Sequence, residues 1–166
     1  MPTNLTDTFY PGDAFIGYGS QLLVGDGASP EVFEAVADVV EITPGDGTTG
    51  VVDKTHLRSP DRHREKLLTI RDSGAFAVKA NWRPGHESQN NAGGGTGPFA
   101  EGGMIKIWRT CEERNFIIRT PDAIGIDIPF AGGITKFQVG GLVLDQKVDV
   151  SMEITPLNGS FWSATP

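Results

Sequence analysis

The sequence predicts a mainly β fold: a β-sandwich or barrel with one α-helix packed beside it. Three observations carry that expectation. Val148, Val150, Met152 and Ile154 alternate without a break with Lys147, Asp149, Ser151 and Glu153, and successive side chains of a strand point to opposite faces. The 166 residues include 22 Gly and 11 Pro, with a hydrophobic content of only 38%. That composition suits short strands and many turns. One segment, 104–113, is the best helix candidate, with Met104, Ile107, Trp108 and Cys111 on one face.

Taken in order, residues 1–13 carry little periodicity and read as an N-terminal arm. Phe9, Tyr10 and Phe15 are its candidate anchors. Residues 21–24 form a short strand, and 25–30 turn by their Gly, Asp, Ser and Pro content. Residues 32–42 read as one longer strand, ended by the Pro and Gly residues of 43–47. Residues 47–64 are polar and mixed in charge, with Asp53, Lys54, His56, Arg58, Asp61, Arg62 and Arg64, and show no clear period. A structureless loop longer than about 15 residues in a compact domain is usually functional or disordered. Strands resume at 67–70 and 75–82, where Phe76, Val78, Ala80 and Trp82 share a phase. The Gly- and Asn-rich stretch 84–98 reads as a flexible connection, and Cys111 as a packed thiol on the helix's dry face. Two more strands, 116–119 and 124–128, turn at 120–123. A long hairpin then spans 133–155, turning at Asp145 and Gln146, with one dry face and one charged face. Residues 156–166 form a loop-like tail. The length favours one domain over 1–166.

The side chains offer almost no catalytic chemistry. His56, His63 and His86 lack metal-ligand spacing. The Gly-rich run at 93–98 lacks the Gly-Lys-Ser/Thr of a phosphate loop. Ser20 is followed by no second glycine and no helix, so it is no nucleophile elbow. Asp149 and Glu153 lie roughly 13 Å apart along a strand, too far for paired acid–base work on one bond. No enzyme activity, metal or cofactor is therefore expected. The single cysteine excludes an internal disulfide. No apolar run is long enough to cross a bilayer, and the first residues lack signal-peptide features, so synthesis in a cytoplasm is expected. A net charge of -7 argues against a surface that grips nucleic acid, since phosphate binding needs Lys and Arg.

The order of parts resembles a known family. The stretches 16–22, 36–45, the polar excursion through 53–56, 77–85, 133–137 and 147–159 together look like the major tail tube protein of long-tailed phages with non-contractile tails. The type VI secretion tubes share that fold. The resemblance implies a structural virion protein forming hexameric rings stacked into a hollow tube. An inner sheet of each subunit would close into a ring barrel on oligomerisation, and DNA would pass down the lumen without specific binding. It implies that the 47–64 loop and the terminal arms bridge subunits and rings. It also implies partners at the tape-measure, baseplate and tail-terminator positions. Asp145, Lys147, Asp149 and Glu153 become lumen candidates, with a lumen of like charge keeping phosphates from binding. Two alternatives stay open: a single-ring tail-terminator or baseplate hub on the same fold, and a monomeric ligand-binding β-sandwich.

Overall fold

The computed structural model describes residues 17–57, 63–90, 97–100, 102–121 and 125–157. Among them are nine strands, in one sheet of seven and one of two. The strands are β1 (Gln21–Gly25), β2 (Phe33–Ala35), β3 (Val39–Thr43), β4 (Thr48–Asp53), β5 (Lys66–Asp72), β6 (Phe76–Asn81), β7 (Glu113–Arg119), β8 (Asp127–Val139) and β9 (Asp149–Pro156). Two α-helices, α1 (Glu87–Asn90) and α2 (Gly103–Thr110), and a 3-10 turn at Gly97–Phe99 lie between β6 and β7.

The large sheet runs β2-β1-β7-β8-β9-β6-β3, every pair antiparallel. Its two edge strands, β2 and β3, are neighbours in sequence, joined only by Val36, Ala37 and Asp38. A flat seven-stranded sheet would hold its edges roughly 29 Å apart at about 4.8 Å per strand. Three linking residues reach only about 13 Å. The sheet must therefore roll up until its edges nearly meet. The long strand β8 is the corner of the roll. Its first half pairs with β7 through Gly133, and its second half with β9 from Gly132 onward. Gly132 stands at the handover because a Cβ there would lie 2.9 Å from the Thr155 carbonyl oxygen.

The core fills the roll. Phe130 stacks on Phe76 at 4.5 Å and on Phe116 at 5.5 Å between ring centroids. Leu22, Val24, Val78, Val150, Met152 and Ile154 are buried around them. The alternation in the last strand holds: Val150, Met152 and Ile154 are buried while Asp149 is exposed. Helix α2 buries Met104 and Ile107, and its Trp108 stacks on Phe137 at 6.1 Å.

Four local expectations change. The strand expected over 32–42 is two strands. Asp38 adopts a left-handed conformation (φ 54°) where the chain crosses the seam. The helix ends at Thr110, because Cys111 also turns left-handed (φ 52°) and its N–H returns to the Trp108 carbonyl at 3.2 Å. Cys111 is thereby rotated outward and is exposed, and Glu113 opens β7 instead. The connection at 84–98 is partly packed. Gln89 is 1% exposed, accepts the Arg83 N–H at 2.8 Å, and donates to the carbonyls of Asn81 (2.8 Å) and Ala37 (3.1 Å). One side chain thus clips the end of β6 to the β2–β3 link. Finally, the excursion at 47–64 opens with a strand, Thr48–Asp53, as follows.

Candidate assembly surfaces

β4 and β5 form a two-stranded ribbon standing away from the large sheet. Every residue of both strands is exposed. Val51 lies opposite Leu68, and Val52 opposite Leu67. Adjacent cross-strand pairs point to opposite faces, so the ribbon carries apolar pairs on both sides. Ile70 adds a further side chain at 85% exposure. The ribbon extends past its last ladder pair: the Glu65 N–H donates to Thr55 Oγ1 at 2.9 Å, and the Lys54 N–H to the Glu65 carbonyl at 3.0 Å. Asp53 accepts the Thr55 N–H at 2.8 Å, and bonding to Thr55 holds its carboxyl below the usual range. Lys54 pairs with Glu65 at 3.6 Å. The ribbon is rooted where Gly45 meets Gly74. A Cβ on Gly45 would fall 2.6 Å from the Gly74 carbonyl carbon, so the two chains leave the sheet in backbone contact. His56 and Arg64 lie exposed near the far end. Arg58, Asp61 and Arg62 lie outside the described residues, as do Phe9, Tyr10 and Phe15 of the N-terminal arm.

The second surface is the outer face of the four strands β8, β9, β6 and β3. Registers place Lys136 beside Glu153, Glu153 beside Ala77, Ser151 beside Lys79, Asp149 beside Asn81, and Lys79 beside Glu41. The charges pair across strands. Lys79 Nζ meets Glu41 at 2.8 Å, Lys136 meets Glu153 at 3.0 Å, and Lys147 meets Asp149 at 3.4 Å. Lys147 also donates to Asn81 Oδ1 at 2.8 Å. The Lys79–Glu41 contact lowers the Glu41 pKa and raises that of Lys79. Thr135 bonds Thr155 at 3.2 Å on the same surface.

Three of the four residues expected on this face, Lys147, Asp149 and Glu153, come together there. Asp145 sits apart, in a left-handed turn (φ 71°) beyond the strand ends. Sequence reasoning missed Glu41, Lys79 and Lys136. The phase of Lys79 was visible, but its partner depends on register. The face is also not of like charge, as the net charge had suggested: each of its three carboxylates has a lysine.

This four-stranded unit has two open edges. Among the described residues no strand pairs with β3 on the side away from β6, nor with β8 beyond Ile134 on the side away from β9. Beside the β3 edge runs a cavity of about 600 Å³, lined by Tyr18, Val39, Val40, Ile42, Ile118 and Ile128 among others. Beyond the β8 edge, the loop to β9 exposes Leu142, Val143 and Leu144. Among the described residues no three His, Cys, Asp or Glu gather to hold a metal, and no helix is long and apolar enough to cross a membrane.

No curated protein sequence matches the chain. Among solved structures it is similar to the tail of an empty gene transfer agent particle, determined by helical refinement with C6 symmetry. That similarity has a TM-score of 0.64 and 17% identity, over 92% of this chain and 100% of the other. A chain of the native gene transfer agent virion follows at 0.60 and 16%, over 88% and 96%. A chain of the six-fold symmetrised anti-feeding prophage baseplate stands at 0.58 and 9%, over 88% and 93%. At these identities the likeness is one of fold. The family model of the lambda phage tail tube protein matches residues 18–155, which include the rolled sheet, the exposed ribbon and the paired-charge face, and the chain belongs to that family.

Proposed function

We propose that this chain is the repeating subunit of a hollow tube, six to a ring, with rings stacked axially and DNA passing through the lumen. The observation that carries the reading is the polar four-stranded face bounded by two open edges. An open edge is a row of unpaired backbone donors and acceptors. Joining the β3 edge of one subunit to the β8 edge of the next satisfies both rows at once, and six-fold repetition closes them into a barrel. The neighbouring strands would be antiparallel, as within the subunit. The paired-charge face then lines the lumen, with Lys147, Asp149 and Glu153 on it, joined by Glu41, Lys79 and Lys136. Asp145 would stand at the barrel's rim.

A lumen of this kind suits DNA transit for a different reason from like-charge repulsion. Each lysine already faces a carboxylate, so a phosphate gains little by displacing it, and counterion release is small. The ribbon β4–β5 supplies the contact to a neighbouring subunit or ring. A lone two-stranded hairpin is marginal in water, and one with apolar pairs on both faces gains by being sandwiched. Asp53, Lys54, His56, Arg58, Asp61, Arg62 and Arg64 would give that contact its charge pairs. Phe9, Tyr10 and Phe15 would anchor the N-terminal arm. The whole of 1–166 serves as one tail-tube domain, and the tape-measure, baseplate and tail-terminator proteins are its tail partners.

Negative-stain electron microscopy of the purified, concentrated chain tests this directly. Long tubes of uniform width and six-fold end views are expected. Rings that never stack would favour a terminator or hub. Compact monomers at every concentration, even with a tail-tip initiator added, would sink the tube reading.

A further inference from the structure

Resting on that tube reading, we infer that Leu142, Val143 and Leu144 of one subunit seat in the cavity beside β3 of its neighbour within the same ring. The occupant is a second copy of this chain, and the contact locks the β8-to-β3 joint. The tip is unusual for a loop: Leu142 is 86% exposed and Leu144 87%. Three consecutive aliphatic side chains facing water are a contact awaiting a partner. The cavity has the matching chemistry. Val40 and Tyr18 on its lining are 59% and 88% exposed.

Position ties the two together. Val40 is the extra residue of a β-bulge: Val39 pairs with Ala80 and Glu41 with Lys79, leaving Val40 unpaired between them. Bulges at sheet edges re-aim a side chain, and this one lies on the open edge, on the cavity's lining. The tip follows the end of β8 by three residues, through Gly140 and Gly141. An antiparallel joint between β8 of one subunit and β3 of the next brings the C-terminal end of β8 to the N-terminal end of β3, where Val39 and Val40 of the cavity lining lie. The tip therefore arrives at the cavity mouth whenever the edges pair.

The size of the contact gives it a role in control. Three side chains cover on the order of 400 Å², about half the area per partner of a stable interface. Two monomers are not held by it. Around a closed ring the same contact repeats at every joint and acts together with the strand pairing.

The test uses tubes carrying Leu144→Cys and Val40→Cys in a Cys111→Ser background, since Cys111 is the only native cysteine. A short bismaleimide is added and subunits are separated under denaturing conditions. A ladder that stops at six is expected, because a contact within one ring closes on itself. A ladder running past six would overturn the inference by joining successive rings. Tubes of normal width without covalent oligomers would overturn it too. In parallel, Leu142→Ser/Leu144→Ser should keep the circular dichroism and melting temperature of the parent and need at least tenfold more protein to assemble. Assembly at the parent's concentration counts against the contact. If the unaltered chain makes no tubes even with an initiator, the tube reading falls first and this contact with it.

Discussion

Replacing Leu68 and Ile70 by serine separates folding from assembly. Both lie on β5 of the ribbon, Leu68 at 71% exposure and Ile70 at 85%. Neither contributes to the core, and exposed substitutions of this kind shift stability by about 0.5 kcal/mol or less. For the pair in a chain of this length that moves Tm by no more than about 4 °C. In the proposed tube the ribbon becomes covered. Burying a Leu or Ile side chain fully is worth about 1.5–3 kcal/mol, so scaling by the exposure still to be lost gives about 2–5 kcal/mol for the pair. Every 1.4 kcal/mol is tenfold, so the lower figure alone raises the concentration needed for assembly about thirtyfold. The assay is sedimentation of tubes across a protein dilution series, with Tm measured on the unassembled fraction. A variant that assembles at the parent's concentration refutes the claim that the ribbon is a covered contact. A Tm loss of ten degrees would show instead that the ribbon belongs to the folded core.

Three further outcomes follow from named contacts. Gln89→Ala strips partners from the part-buried Arg83 N–H and Ala37 and Asn81 carbonyls; a loss of about 2–4 kcal/mol is expected from leaving these groups unpaired, read as a Tm drop of at least about 4 °C, and an unchanged Tm would contradict the clip. Glu41→Lys/Glu153→Lys turns the paired face cationic, so variant tubes should retain short DNA oligonucleotides at low salt and release them at high salt; equal retention by the parent would refute the charge-balance account. The Lys79–Glu41 pair sets a pH window. The lowered Glu41 pKa means its contribution is present above the ordinary value of 4.5 and is lost as pH falls through the lower folded value. The raised Lys79 pKa means its contribution is present below 10.5 and is lost as pH rises through the higher folded value. The Tm of the subunit should therefore be unaffected by Lys79→Met/Glu41→Gln below that acid limit, and differ from the parent only inside the window.

Some of this was legible in the chain and some was not, for physical reasons. The last strand could be read because one face is dry and one wet: Val150, Met152 and Ile154 are buried within the subunit itself. The ribbon could not. Its apolar residues run consecutively, as Val51-Val52 and Leu67-Leu68, and leave no period of two. The isolated chain covers neither face. The break at Asp38 was hidden because apolar residues continue through it: Val36 is itself buried, at 6% exposure, under the seam. Helix α2 was placed correctly at its start, but its end depends on the left-handed backbone of Cys111, which side-chain periodicity does not report. The charge pairs needed register. Lys79 and Glu41 are 38 residues apart in sequence, and neither strand alone names its partner.

The distribution of exposed apolar side chains is the deeper argument for assembly. Ten of the sixteen large ones among the described residues fall into three groups. Val51, Val52, Leu67, Leu68 and Ile70 sit on the ribbon, Leu142, Val143 and Leu144 on one loop, Tyr18 and Val40 at the seam. The outer face of β8, β9, β6 and β3 instead presents Lys, Glu, Asp, Ser, Thr, Gln and Asn, with Ala77 the small exception. A monomer living in water has no reason to divide its surface in this way. The proposed tube wall would, because it has two kinds of surface: contacts that gain by losing water, and a lumen that stays wet and unattractive to phosphate. The division also explains how such a subunit avoids pairing at random. Each apolar group is small, and each open edge is short, with β3 only five residues long. In the proposed ring, no single contact need capture a partner, because only the closed ring presents them all at once.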